Sequence, residues 1–159
     1  MENRCPECGT ALPRGVPGWT RHLTVADAMT RNPLTLGPED SLARALEVMR
    51  MHGIRRIPVV LGDTLVGLLV EGDLKRAQPS TLSDSQEEFN RIMEGTQIAR
   101  IMIRELATVQ EDMPLLEAAR TLHATKYGAL PVLREGKLAG ILTDNDLLRV
   151  LVELLGQGG

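Results

Sequence analysis

The chain has 159 residues, of which 43% are hydrophobic, 25% charged and 2% aromatic, with a net charge of −3. That length suits one compact domain or two small ones sharing a core, and so few rings make the core aliphatic. The charge balance provides no basic field for nucleic acid or an acidic membrane surface, and the scarcity of rings excludes a base-stacking platform.

Residues 1–22 stand apart in composition. The opening MENRCPECG has no apolar signal core. No apolar run in the chain approaches the roughly 18–20 residues that span a bilayer. The expectation is a cytoplasmic protein with reduced thiols and no membrane partner. Cys5 and Cys8 form a C-x-x-C-G element of the zinc-knuckle kind. Structural zinc takes four ligands, so His22 or a thiolate pair from a second chain has to complete such a site. An inert remnant knuckle and a dithiol redox pair stay open as readings, although the redox reading lacks a strand leading into a helix at the first cysteine. Trp19 is the single tryptophan and reads as an anchor on the core or on a partner.

Residues 23–77 begin with a short helix-like piece, VADAMT, followed by a brief strand, PLTL. Leu42, Ala45, Leu46 and Met49 then recur at helical spacing behind Ser41, a helix-starting residue. Two apolar strands, IPVVL and LVGLLV, flank a Gly62-Asp63 turn, and DLKRA closes the segment as a helix. Residues 78–96 are polar and acidic and read as a linker, with a short helix near Glu87–Met93.

Residues 97–156 repeat the first pattern. At an offset of 73, positions 25–77 lie over 98–150 without a gap, and about a quarter are identical, among them Met29/Met102, Pro58/Pro131, Gly67/Gly140, Asp73/Asp146 and Arg76/Arg149. Leu115, Ala118, Ala119 and Leu122 carry the second helix behind Pro114, a first-turn proline, and Glu135-Gly136 makes the second turn. Each copy is a β-α-β-β-α unit with a helical turn in front. One unit cannot cover both faces of its sheet, so an α+β fold of two copies packed sheet to sheet is expected.

The strands RIPVV and ALPVL, each followed by GLLVEGD or GILTDND, resemble a tandem pair of CBS domains, a Bateman module, over residues 24–155. The resemblance implies pseudo-two-fold symmetry between the repeats. It also implies a regulatory rather than catalytic role, and clefts between the repeats that take adenosine-containing ligands.

Thr143 and Asp146 admit two readings. Thr143 can be a helix cap accepting from the Asp146 N–H, with Asp146 as a first-turn acid. The same geometry can hold a ligand. Free N–H groups at a helix start suit phosphate, and an ionised carboxylate accepts both ribose hydroxyl protons. In the family, G-h-h-T-x-x-D does this. The offset makes Val70 the counterpart of Thr143, while Gly128 and Ala129 stand opposite Arg55 and Arg56. Hydroxyl and cations are thus each present once. A solvated strand edge is the plain reading of Arg55-Arg56, and bidentate phosphate binding the functional one. The resemblance implies that Thr143 and Asp146 share a cleft with Ile54, Arg55 and Arg56, leaving the other cleft vestigial. It further places Ile141 and Ile54 against adenine, Asn32 to Gly37 at the mouth, and Pro58 where backbone reads the base edge. His52 reads as an exposed helix end that could approach phosphate.

The expected function is sensing of AMP, ADP or ATP, although NAD and S-adenosylmethionine need the same ribose grip. The last helix is apolar on more than one face and suggests self-association, and CBS pairs commonly form flat dimers. The alternatives are a dimerising scaffold with a vestigial site and a zinc-tailed regulator associated with nucleic acid. The negative charge argues against the last despite Arg4, Arg14, Arg21 and Arg31. No Ser/His/Asp set, Walker-type loop or acid/base carboxylate pair marks an enzyme.

Overall fold

The computed structural model describes Gly9 and residues 22–80 and 85–156. The chain divides into two compact units. One consists of Asn32–Leu106 with Glu135–Ala139, and the other of Met1–Arg31, Ala107–Arg134 and Gly140–Gly159. The fold is α+β, built on two copies of one motif.

In the unit around Asn32–Leu106, α2 (Leu42–His52) starts at Ser41, whose side chain accepts from the Arg44 N–H at 3.1 Å. It ends at Gly53, whose φ of 62° closes the helix in the left-handed conformation. The helix buries Leu42, Ala45, Val48 and Met49. Strands β2 (Arg56–Leu61) and β3 (Thr64–Val70) pair antiparallel through the predicted Gly62-Asp63 turn. Helix α3 (Glu71–Ala77) follows. Ile57, Val59, Leu69 and Leu74 are fully buried beneath these elements. The predicted linker helix exists and is longer than expected: α4 (Gln86–Gly95), capped by Ser85, buries Met93 in the same core beside Phe89. The PLTL piece contributes a single parallel bridge, Leu36 to Val59, instead of a strand.

In the other unit, α1 (Val25–Ala28) and β1 (Thr30–Arg31) lead in. Then come β4 (Val109–Gln110), α5 (Leu115–Ala124), β5 (Ala129–Arg134), β6 (Lys137–Thr143) and α6 (Asp144–Gly156). Pro114 occupies the N-cap of α5, one position before the expected first turn. The sheet order is β1-β6-β5-β4. Val25, Ala28, Leu130, Val132 and Leu142 are fully buried here.

The lead-in pieces of the two copies are exchanged, which the sequence did not reveal. The first lead-in docks on the second copy's strand, with Thr30 opposite Ile141 and Arg31 opposite Gly140. The second reciprocates, with Ile103 and Leu68 exchanging both backbone hydrogen bonds at 2.8 and 2.9 Å. Glycine is required where they cross. A Cβ at Gly140 would lie 2.7 Å from the Thr30 carbonyl oxygen, and one at Gly67 would lie 2.6 Å from the Met102 sulfur.

Candidate functional site

The junction between β6 and α6 holds Asp146, the one buried polar or charged side chain among the described residues at 5% exposure. A β-strand ends at Thr143 and the backbone turns at once into a helix of 13 residues. Thr143 and Asp146 form a capping box. The Asp146 N–H donates to Thr143 Oγ1 at 3.2 Å, and the Thr143 N–H and hydroxyl donate to Asp146 Oδ2 at 2.9 and 3.1 Å. Oδ1 accepts from the Thr30 hydroxyl at 3.1 Å and the Arg149 guanidinium at 3.3 Å. The same Arg149 nitrogen donates to the Ala28 carbonyl at 2.8 Å. Four donors therefore surround one carboxylate, which is what allows a charge to sit there. Ile141 is 5% exposed, two residues before Thr143 on the same strand.

The first copy lacks this arrangement. Val70 stands at the cap of α3 with no side-chain hydrogen bond, and α3 has only 7 residues. Asp73 is partly exposed and pairs with Arg76. Ile103, the counterpart of Thr30, has no hydroxyl.

The other predicted residues lie in the unit around Asn32–Leu106. Ile54 is half-buried against the core, and its N–H donates to the Met49 carbonyl at 3.2 Å. Arg55 is exposed, with Nε 3.6 Å from Glu71 Oε2, and its carbonyl accepts the Glu71 N–H at 2.8 Å. Arg56 opens β2 opposite Val70. The Glu71 carboxyl is held below its ordinary value of 4.5 by the Lys75 hydrogen bond above all, and by the charges of Lys75, Arg55 and Arg56. The Pro58 carbonyl accepts the Leu36 N–H at 3.2 Å, and the Gly37 N–H donates to Asp40 Oδ2 at 2.7 Å. Asn32 has a φ of 48°, a left-handed conformation that asparagine tolerates well. His52 ends α2 and is exposed.

Cys5 and Cys8 lie outside the described residues, and His22 is exposed. Among the described residues no cluster of three or more His, Cys, Asp or Glu could hold a metal. No helix among them is long and apolar enough to cross a membrane. A groove of about 430 Å³ between α2 and α4, lined by Leu46, Met51, Phe89 and Met93, includes none of the predicted site residues.

Sequence reasoning missed Thr30 and Arg149 as partners of Asp146. The Arg76/Arg149 identity was visible, but the exchange that brings Thr30 to Asp146 across 116 positions was not.

A buried carboxylate bonded to a hydroxyl at a strand-to-helix turn, within a twice-repeated β-α-β-β-α unit, defines a CBS-type module. The chain belongs to the CBS domain family, which matches at residues 25–80 and again at 98–153. It is a tandem CBS pair, the kind of unit found in regulatory modules. A CBS domain-containing protein of Dictyostelium discoideum is 31% identical over 134 residues, covering 82% of this chain and 92% of that protein. Among solved structures, the CBS-pair protein CBSX2 in complex with AMP is 30% identical, with a TM-score of 0.69, covering 82% of this chain and 97% of that one. The CBS domain pair of protein MJ0100, in complex with 5′-methylthioadenosine and S-adenosyl-L-methionine, is 25% identical, with a TM-score of 0.68, covering 82% and 97%. Other curated relatives are longer: the chain spans 46% of one from Thermofilum pendens and 22% of an inosine-5′-monophosphate dehydrogenase of Korarchaeum cryptofilum.

Proposed function

We propose that this CBS pair senses an adenine nucleotide, AMP, ADP or ATP, at one strong site per chain. Asp146 takes the ribose hydroxyls, Thr143 and the start of α6 take a ribose or phosphate oxygen, and Arg55 and Arg56 neutralise phosphate. Ile54 and Ile141 face the adenine, Pro58 presents backbone to the base edge, and Asn32 to Gly37 line the mouth. The observation that carries the reading is the asymmetry between Thr143-Asp146 and Val70-Asp73. Support comes from the neighbours, one solved with AMP and one with two other adenosine compounds. A thermal-shift panel of AMP, ADP, ATP, NAD and S-adenosylmethionine tests it. At a ligand concentration of 100 times Kd, a true ligand stabilises the chain by about 2.7 kcal/mol. No shift with any of the five would leave a scaffold.

The chain also self-associates as a homodimer through α6. Leu148, Leu151, Val152 and Leu155 are exposed and recur at i, i+3, i+4 and i+7. That stripe is a helix-packing face with no partner among the described residues. In the tail, Cys5 and Cys8, with His22 or a second chain, would hold zinc. Fewer than about 0.3 zinc per purified chain would end that reading.

A further inference from the structure

The carboxylate of Asp146 has about four lone-pair positions, and four donors already occupy them: the Thr143 N–H and hydroxyl on Oδ2, and Thr30 and Arg149 on Oδ1. A ribose diol that donates two protons to this carboxylate has to displace two of them. The Thr143 N–H is fixed by the backbone turn. Arg149 is anchored by its second bond to the Ala28 carbonyl. The two that can rotate away at little cost are the hydroxyls of Thr143 and Thr30. Thr143 regains a partner in the ligand under the proposed reading, but Thr30 has none assigned.

We propose that Thr30 is an affinity-setting residue whose hydroxyl occupies the ribose position of Asp146 in the unliganded chain. This rests on the nucleotide reading above. The internal repeat supports it. The reciprocal lead-in docks in the same way through Ile103 and Leu68, yet it brings no hydroxyl to Asp73, which pairs with Arg76 instead. Thr30 belongs to β1, just after α1 and bonded to β6. Ligand binding therefore removes one tether of the lead-in segment 24–31 and couples the site to whatever precedes it.

The test is calorimetric titration of wild type, Thr30→Val, Thr30→Ser and Asp146→Ala with AMP and with 2′,3′-dideoxy-AMP. Valine keeps the β-branched shape that a strand favours and removes only the donor. Thr30→Val should bind AMP about three- to tenfold more tightly than wild type, and Thr30→Ser should match wild type. The gain should vanish with the dideoxy analogue, which offers no diol, and in the Thr30→Val/Asp146→Ala double variant. A merely structural role would weaken binding and would treat both nucleotides alike. If wild type binds AMP and Asp146→Ala weakens it, but Thr30→Val binds no tighter, the inference is overturned and the nucleotide reading stands. If neither wild type nor Thr30→Val binds AMP, ADP or ATP, both fall. Should Thr30→Val fail to fold, hydrogen exchange on wild type decides. AMP should reduce protection of residues 24–31 and the dideoxy analogue should not; unchanged or greater protection with AMP overturns the inference.

Discussion

Asp146 is buried because its neighbours make burial tolerable. A carboxylate at 5% exposure would ordinarily be driven to the surface by desolvation, and four donors offset that cost. Removing it strands those donors. Asp146→Ala should therefore lower unfolding stability by about 1–3 kcal/mol in urea titrations, whereas Asp73→Ala, at a partly exposed site, should change it by less than about 0.5 kcal/mol. Equal losses would mean that the two aspartates do the same work. Glu71 behaves differently. Its carboxyl is held below 4.5 by the Lys75 hydrogen bond first and then by nearby positive charges. A depressed carboxylate contributes stability above its unfolded value and loses it as the pH falls. Glu71→Gln should melt slightly below wild type at neutral pH, and calorimetry should find the two converging as the pH drops below 4.5. The pair Thr143-Asp146 was legible because three-residue spacing at a helix start has one local geometry. Its partner Thr30 was not, because nothing local links positions 116 residues apart.

Among the elements, the helices and the paired strands were readable because period-3.6 and apolar strand patterns are local signals. The helical turns of the lead-in pieces were read correctly, at Val25–Ala28 and Ile98–Arg100, but their docking on the other copy was not. Their docking depends on tertiary register over two residues, too short for any pattern to show. The glycines at the crossings make this docking testable. At Gly140 an added Cβ meets a backbone carbonyl at 2.7 Å, while at Gly67 its nearest contact at 2.6 Å is the flexible Met102 thioether. Gly140→Ala should cost about 1–3 kcal/mol in a denaturant titration, and Gly67→Ala less; the reverse order would contradict the crossing geometry. Helix α6 supplies a second test at this scale. Leu151→Glu places a charge in the middle of the exposed apolar stripe. It should convert a dimer to a monomer in sedimentation at micromolar concentration. A monomeric wild type would remove the self-association reading.

For the molecule as a whole, the repeat gave away the family and the duplication, and under the proposed reading the differences between copies carry the function. The second copy keeps hydroxyl, carboxylate and a helix of 13 residues, and the first keeps only the carboxylate, in the first turn of a helix of 7. A duplicated fold thus need not mean duplicated binding. The most direct measurement is calorimetric titration of AMP, ADP and ATP into wild type, Asp146→Ala and Asp73→Ala. The account predicts one site per chain, weakened ten- to a hundredfold, about 1.4–3 kcal/mol, by Asp146→Ala and hardly changed by Asp73→Ala. Two equal sites per chain, or equal sensitivity to the two substitutions, would contradict it.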